Sequence, residues 1–144
     1  MLPAAAQRAT AGSAAGISGV TMAKRVLIVD DSSAIRKSVH FILDQAGYEV
    51  VAAEDGLDAL SKLDGASFDL IVTDVNMPNL DGIGLVQKVR EQPDFKYTPI
   101  VVLTTESQGS KMEEGKAAGA TGWIVKPFDA DKLLSVVKRL IGDA

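Results

Sequence analysis

The chain has 144 residues, 47% hydrophobic and 24% charged, which suits one domain with a sizeable core and leaves too little for two. A formal charge of −4 and a pI near 4.9 give nucleic-acid binding no electrostatic support. The absence of cysteine excludes disulfide frameworks, thiolate metal sites and thiol nucleophiles, and no stretch approaches the roughly 18 consecutive apolar residues of a membrane span.

Residues 1–23, "MLPAAAQRATAGSAAGISGVTMA", are rich in Ala, Gly and Ser and contain no acidic residue. Small flexible side chains cannot offset the entropy of ordering, so this segment reads as a disordered tail, or as a non-native N-terminal extension that would make Met22 the natural start. The folded domain is expected over residues 24–144.

From Lys24 onward, short apolar runs alternate with helical patterns. "VLIV" (26–29) is followed by a helix that Ser32 or Ser33 can cap, with Ile35, Val39, Ile42, Leu43 and Ala46 on one face and Gly47 as its stop. "YEVVAA" (48–53) is a weaker strand. Asp55 can cap the next helix, which carries Leu57, Leu60 and Leu63. "LIVT" (70–73) precedes a third helix marked by Ile83, Val86 and Val89 and closed by Pro93. "IVVLT" (100–104) precedes a polar, Gly-interrupted helix from Ser107 to Ala118. "WIV" (123–125) precedes the last, from Asp129 to Ile141. Runs that are apolar at consecutive positions predict strands covered on both faces, which is the mark of a parallel sheet. The order βα, five times over, predicts a single α/β domain, (βα)5, with right-handed crossovers and a doubly wound sheet.

In open parallel sheets, ligands bind at the carboxyl ends of the strands. Here the first strand ends at Asp30 and Asp31, the third at Asp74, the fourth at Thr104 and the fifth at Lys126. Each residue alone has an ordinary reading: a helix cap, a sheet threonine, a surface lysine. Together they bring three carboxylates, a hydroxyl and an ammonium to one spot, with no charged residue inside the apolar runs of those four strands. Three converging carboxylates repel and raise each other's pKa. A hard divalent cation removes that conflict, and Mg2+ favours a few carboxylate oxygens, a carbonyl and retained waters, usually beside a phosphate. A carboxylate flanked by Mg2+ and Lys is a plausible nucleophile toward phosphorus, with Thr104 placed to hydrogen-bond a phosphoryl group.

"VLIVDDSSAIR", "DLIVTDVNMPNLDG", "VVLTTES" and "GWIVKPF" resemble, in order and spacing, the four signature segments of two-component response-regulator receiver domains, in particular the CheY-like single-domain chemotaxis regulators. The resemblance implies a flavodoxin-like strand order 2-1-3-4-5, for which CheY is itself a type example. It also implies roles. Asp74 is the phospho-acceptor, taking its phosphoryl group from the phosphohistidine of a CheA-like histidine kinase. Asp31, Asp74 and the backbone carbonyl of Asn76 are Mg2+ ligands, and Asp30 acts through bound water. Lys126 contacts the phosphoryl group, with a cis bond to Pro127. Thr104 and Trp123 are the switch pair, although Trp replaces the more usual Tyr or Phe, and the β-branched Thr105 stands where small residues are common. Asn76 and Glu106 tune loss of the phosphate.

A chain with this resemblance is expected to be a cytoplasmic, monomeric phosphorylation switch. Its face over helix 4, strand 5 and helix 5 meets a downstream protein such as a flagellar motor switch protein, and autodephosphorylation or a phosphatase resets it. No nucleic acid or membrane partner is expected. A stand-alone receiver in a non-chemotaxis phosphorelay, or a phosphate sink, is the alternative. A haloacid-dehalogenase-type phosphatase needs D-x-D-x-[TV] after its first strand, and "DDSSA" does not supply it. His40, on the first helix, reads as a helical surface residue rather than a phospho-donor.

Overall fold

A computed structural model describes residues 23–105 and 110–144. Most of the expected N-terminal extension, through residue 22, lies outside those residues, and so does Glu106. Five strands alternate with five helices: β1 (Arg25–Val29), α1 (Ser33–Gln45), β2 (Glu49–Ala53), α2 (Gly56–Leu63), β3 (Leu70–Asp74), α3 (Gly82–Arg90), β4 (Ile100–Thr104), α4 (Ser110–Ala118), β5 (Gly122–Val125) and α5 (Ala130–Ile141). All strand pairings are parallel, in the order β2-β1-β3-β4-β5. The sheet is therefore doubly wound and flavodoxin-like.

The apolar runs are continuous because each central strand is covered on both faces. Val26 and Ile28 of β1 join Val39 and Leu43 of α1 and Leu133 and Val137 of α5 in one core. Leu27 and Val29 face the other way, into a second core with Leu63 of α2 and Val86 and Val89 of α3. Register then aligns the strand ends. Val29 pairs with Ala53 and Thr73, Asp74 with Leu103, and Thr104 with Val125. The chain must leave the sheet along a single edge, and that edge carries the polar residues.

Local chemistry sets the helix starts. Ser32 Oγ accepts from the Ile35 N–H, and Asp55, Asp81 and Asp129 cap α2, α3 and α5 in the same way. Some boundaries differ from the expectation. Tyr48 stands outside β2: its ring is buried, and its hydroxyl donates to the Gly142 carbonyl at 2.6 Å, clasping the end of α5. Asp129 caps α5 instead of opening it, because its extended backbone leaves the carboxylate free to accept the Lys132 N–H. The third helix stops at Arg90, and Pro93 opens a short 3-10 turn (Pro93–Phe95) in place of closing the helix. The described part of the fourth helix begins at Ser110; the expected start at Ser107 lies outside the described residues.

Candidate functional site

The end of β1 delivers Asp30 to the edge fully buried. Its carboxylate accepts the Ser32 N–H at 2.9 Å and the Lys126 ammonium at 3.0 Å, while Arg36 donates to its backbone carbonyl at 2.6 Å. Asp31, the next residue, is exposed. Asp74 is the last residue of β3 and only 7% exposed; its Oδ1 accepts the Val75 N–H at 2.9 Å and lies 3.2 Å from Lys126 Nζ. Lys126 follows β5, and its N–H donates to the Thr104 carbonyl at 2.6 Å, fastening the loop after β5 to the buried end of β4. The Lys126–Pro127 bond is cis.

One oxygen from each of Asp30, Asp31 and Asp74 lies within 4.8 Å of the others. The Lys126 ammonium pairs with two of these three carboxylates, Asp30 and Asp74. Burial and the Asp30 charge push the Asp74 carboxyl above the usual range, and Lys126 only partly opposes them. Burial pulls the Lys126 ammonium down, but the bonds and charge of Asp30 and Asp74 outweigh it, so its pKa is raised. The donor set is all hard oxygen, it carries surplus negative charge, and Asp31 opens it to water. That chemistry fits Mg2+.

The edge thus brings together Asp30, Asp31, Asp74 and Lys126, with Thr104 at the end of the adjacent strand β4. Asn76 is exposed, two residues past Asp74 on the loop from β3 to α3. Trp123 sits on β5, half-buried against the core that holds Ile83. His40 is exposed on α1 and outside the acidic cluster.

Three features are not legible in the sequence. A Cβ on Gly82 would fall 2.0 Å from the Asp74 carbonyl oxygen, so only glycine lets α3 start against the acceptor strand. The DG that ends "NMPNLDG" is visible in the sequence, but its reason is not. A Cβ on Gly115 of α4 would lie 2.6 Å from the Trp123 ring, so a mid-helix glycine makes room for an indole. Third, Asn79 Nδ2 donates to Asp55 at 2.7 Å, joining α2 to the loop after Asp74.

Fold and edge together define a receiver domain. A family model described as "Response regulator receiver domain" matches residues 26–138, and the chain belongs to that family. Within it the chain is of the chemotaxis, CheY-like kind. It is 39% identical to chemotaxis protein CheY-3 of Vibrio cholerae over 121 residues, 81% of this chain and 93% of that one. It is equally identical to CheY1 of Helicobacter pylori over 120 residues, covering 82% and 97%. Among solved structures, CheY4 of Vibrio cholerae superposes with a TM-score of 0.80 at 50% identity, covering 83% of this chain and 99% of that one. A receiver domain of a sensor histidine kinase from Pseudomonas aeruginosa, with a magnesium ion coordinated in its active-site cleft, aligns at a TM-score of 0.78 and 27% identity over 85% of this chain and all of that one.

Proposed function

We propose that residues 24–144 form a receiver that accepts a phosphoryl group on Asp74 and thereby switches a protein-binding face, with residues 1–23 lying outside the domain. The observation that carries this reading is the buried Asp74 carboxylate, 3.2 Å from the Lys126 ammonium and clustered with Asp30 and Asp31. An Asp74 oxygen attacks phosphorus, the bond from phosphorus to the kinase's imidazole nitrogen breaks, and the electron pair stays on that nitrogen. Asp31, Asp74 and the Asn76 carbonyl would hold Mg2+, with Asp30 acting through water. The cation, when bound, neutralises charge on the phosphoryl oxygens. Lys126 would add a second positive charge beside those oxygens, and Thr104 would donate a hydrogen bond to the phosphoryl group.

The response is a changed surface over α4, β5 and α5, which Thr104 and the Trp123 indole couple to the site. Asn76 and Glu106 set how fast water removes the phosphate. The donor is a CheA-like histidine kinase, the target a protein such as a flagellar motor switch protein, and a phosphatase can assist the reset. The protein acts in the cytoplasm as a monomer.

Trp123 is the only tryptophan, three residues before Lys126, so it reports on the site without labelling. Its fluorescence is expected to change saturably on Mg2+ titration. Asp31→Asn should weaken the apparent affinity by about tenfold or more, at least the loss that accompanies removal of an outer-shell partner. A flat titration, confirmed by calorimetry, would remove the cation from the reading. Retention of a motor protein by the phosphorylated form, and not by the unmodified form, tests the chemotaxis role.

A further inference from the structure

The loop from β3 to α3 has to present a backbone carbonyl at Asn76, yet Asn76 is exposed and its neighbours Pro78 and Asn79 are exposed too. Met77 and Leu80 anchor the loop to the core, and polar bonds hold the exposed residues between and before them. One end is fixed where the Gly82 N–H donates to the Val75 carbonyl at 2.8 Å. The middle is fixed from α2. Asp55 accepts the Asp58 N–H at 2.8 Å with one carboxylate oxygen, capping the helix, and the Asn79 side chain at 2.7 Å with the other. Alongside, the Gly56 N–H donates to the Leu80 carbonyl at 3.2 Å. Asn79 has φ of 69°, the only positive value for a non-glycine among the described residues, and around it the Leu80 N–H closes onto the Pro78 carbonyl at 2.7 Å. Such a backbone persists only where its surroundings hold it.

We propose that Asp55 is a positioning residue for the phospho-acceptor site: through Asn79 it clamps the loop that offers the Asn76 carbonyl to the cation. This rests on the function proposed above, and the experiment separates the two. Asp55 is well suited to the task. The Asp58 N–H and the Asn79 amide hold its carboxyl below the usual range, so it is ionised at neutral pH and its bond to Asn79 is charge-assisted. Because the other oxygen of the same carboxylate caps α2, the loop is referred to a whole helix instead of to one side chain.

The test uses two variants that cut the same clamp from opposite sides. Asp55→Ser keeps a good helix cap but has only one acceptor oxygen on a shorter side chain. Asn79→Gly keeps the positive φ at no steric cost and removes the amide. Each is expected to weaken Mg2+ binding, read by Trp123 fluorescence and by calorimetry, about tenfold. Each should also slow phosphorylation by a small acyl phosphate by the same factor at limiting Mg2+, with most of the rate restored at saturating Mg2+. The double variant should lose no more than either single, because both remove one bond. Asp55→Asn should retain affinity within about twofold, since its amide can donate to a rotated Asn79 carboxamide. Unchanged Mg2+ affinity in Asn79→Gly, or losses that multiply in the double variant, would overturn the clamp. A parent protein that binds no Mg2+ would instead overturn the underlying function. If Asp55→Ser unfolds, Asn79→Gly still decides, since it leaves the cap intact.

Discussion

Gly82→Ala is expected to lower the melting temperature by about 12 °C or more and to disturb the acceptor at the same time. The new methyl would sit 2.0 Å from the Asp74 carbonyl oxygen, 2.9 Å from its carbon and 3.0 Å from the Val75 Cα. All three are backbone atoms of β3 or the residue after it, and β3 is hydrogen-bonded to β1 on one side and β4 on the other. No flexible side chain can give way, so α3 must tilt off the sheet or β3 must bend. Overpacking of this kind costs about 3 kcal/mol, from a total of about 5–15; at about 4 °C per kcal/mol for a domain of this size, the shift follows. Gly65→Ala is the control. It has φ of 71° but nothing within 4 Å of its Cβ, so it carries only conformational strain, about 1–2 kcal/mol. Circular-dichroism melts of the two variants separate collision from strain. A Gly82→Ala protein that melts with the parent would show that α3 does not start against Asp74.

Asp74→Asn is expected to make the protein more stable in metal-free solution at neutral pH, by about 0.5–2 kcal/mol. Carboxylate oxygens within 4.8 Å of one another repel by about 3.5 kcal/mol or more at an effective dielectric near 20. Lys126 at 3.2 Å from Asp74 offsets this by about 5 on the same scale, but it also serves Asp30. Burial then decides the sign, and Asp74 is left with a raised pKa. With that sign, the native state binds more protons than the unfolded chain between the ordinary value of 3.8 and the raised one. The group's contribution to stability therefore falls as pH rises through that window and stays low above it. The advantage of Asn should vanish below pH 3.8 and grow as pH rises through the raised value. Added Mg2+ should shrink or reverse it by binding the parent preferentially. Denaturant unfolding in chelator and in Mg2+, at acidic and neutral pH, checks each sign. An Asn variant less stable than the parent in chelator at neutral pH would contradict the picture of carboxylates in conflict.

The α/β order was legible because β1, β3 and β4 are apolar at successive positions and four helices start at a Ser or Asp cap, of which Ser32 and Asp55 are recognisable as caps from the sequence. The acidic edge was legible for a related reason: parallel strands end on one side, so Asp30, Asp74, Thr104 and Lys126 are brought together by topology alone. What the chain order hides is contact between elements. The Tyr48 hydroxyl meets a carbonyl 94 residues away. Asp55 reads as a cap and is one, but its second oxygen belongs to a loop 24 residues on. Gly82 and Gly115 have no side chain to betray a role, since their purpose is the space they leave for Asp74 and Trp123. Trp123 stands out in the sequence as the larger residue at an aromatic position, and the glycine on α4 that accommodates it lies eight residues earlier in the chain.

The most direct measurement is the site and chemistry of phosphate attachment. Incubated with a small acyl phosphate and Mg2+, the protein is expected to gain one phosphoryl group by intact mass, none in chelator, and none as Asp74→Asn. Hydroxylamine should release the group and leave a hydroxamate mapped to Asp74, as an acyl phosphate requires. Phosphate that resists hydroxylamine, that maps to His40 or a hydroxyl, or that persists in Asp74→Asn would contradict the assignment of Asp74 as acceptor.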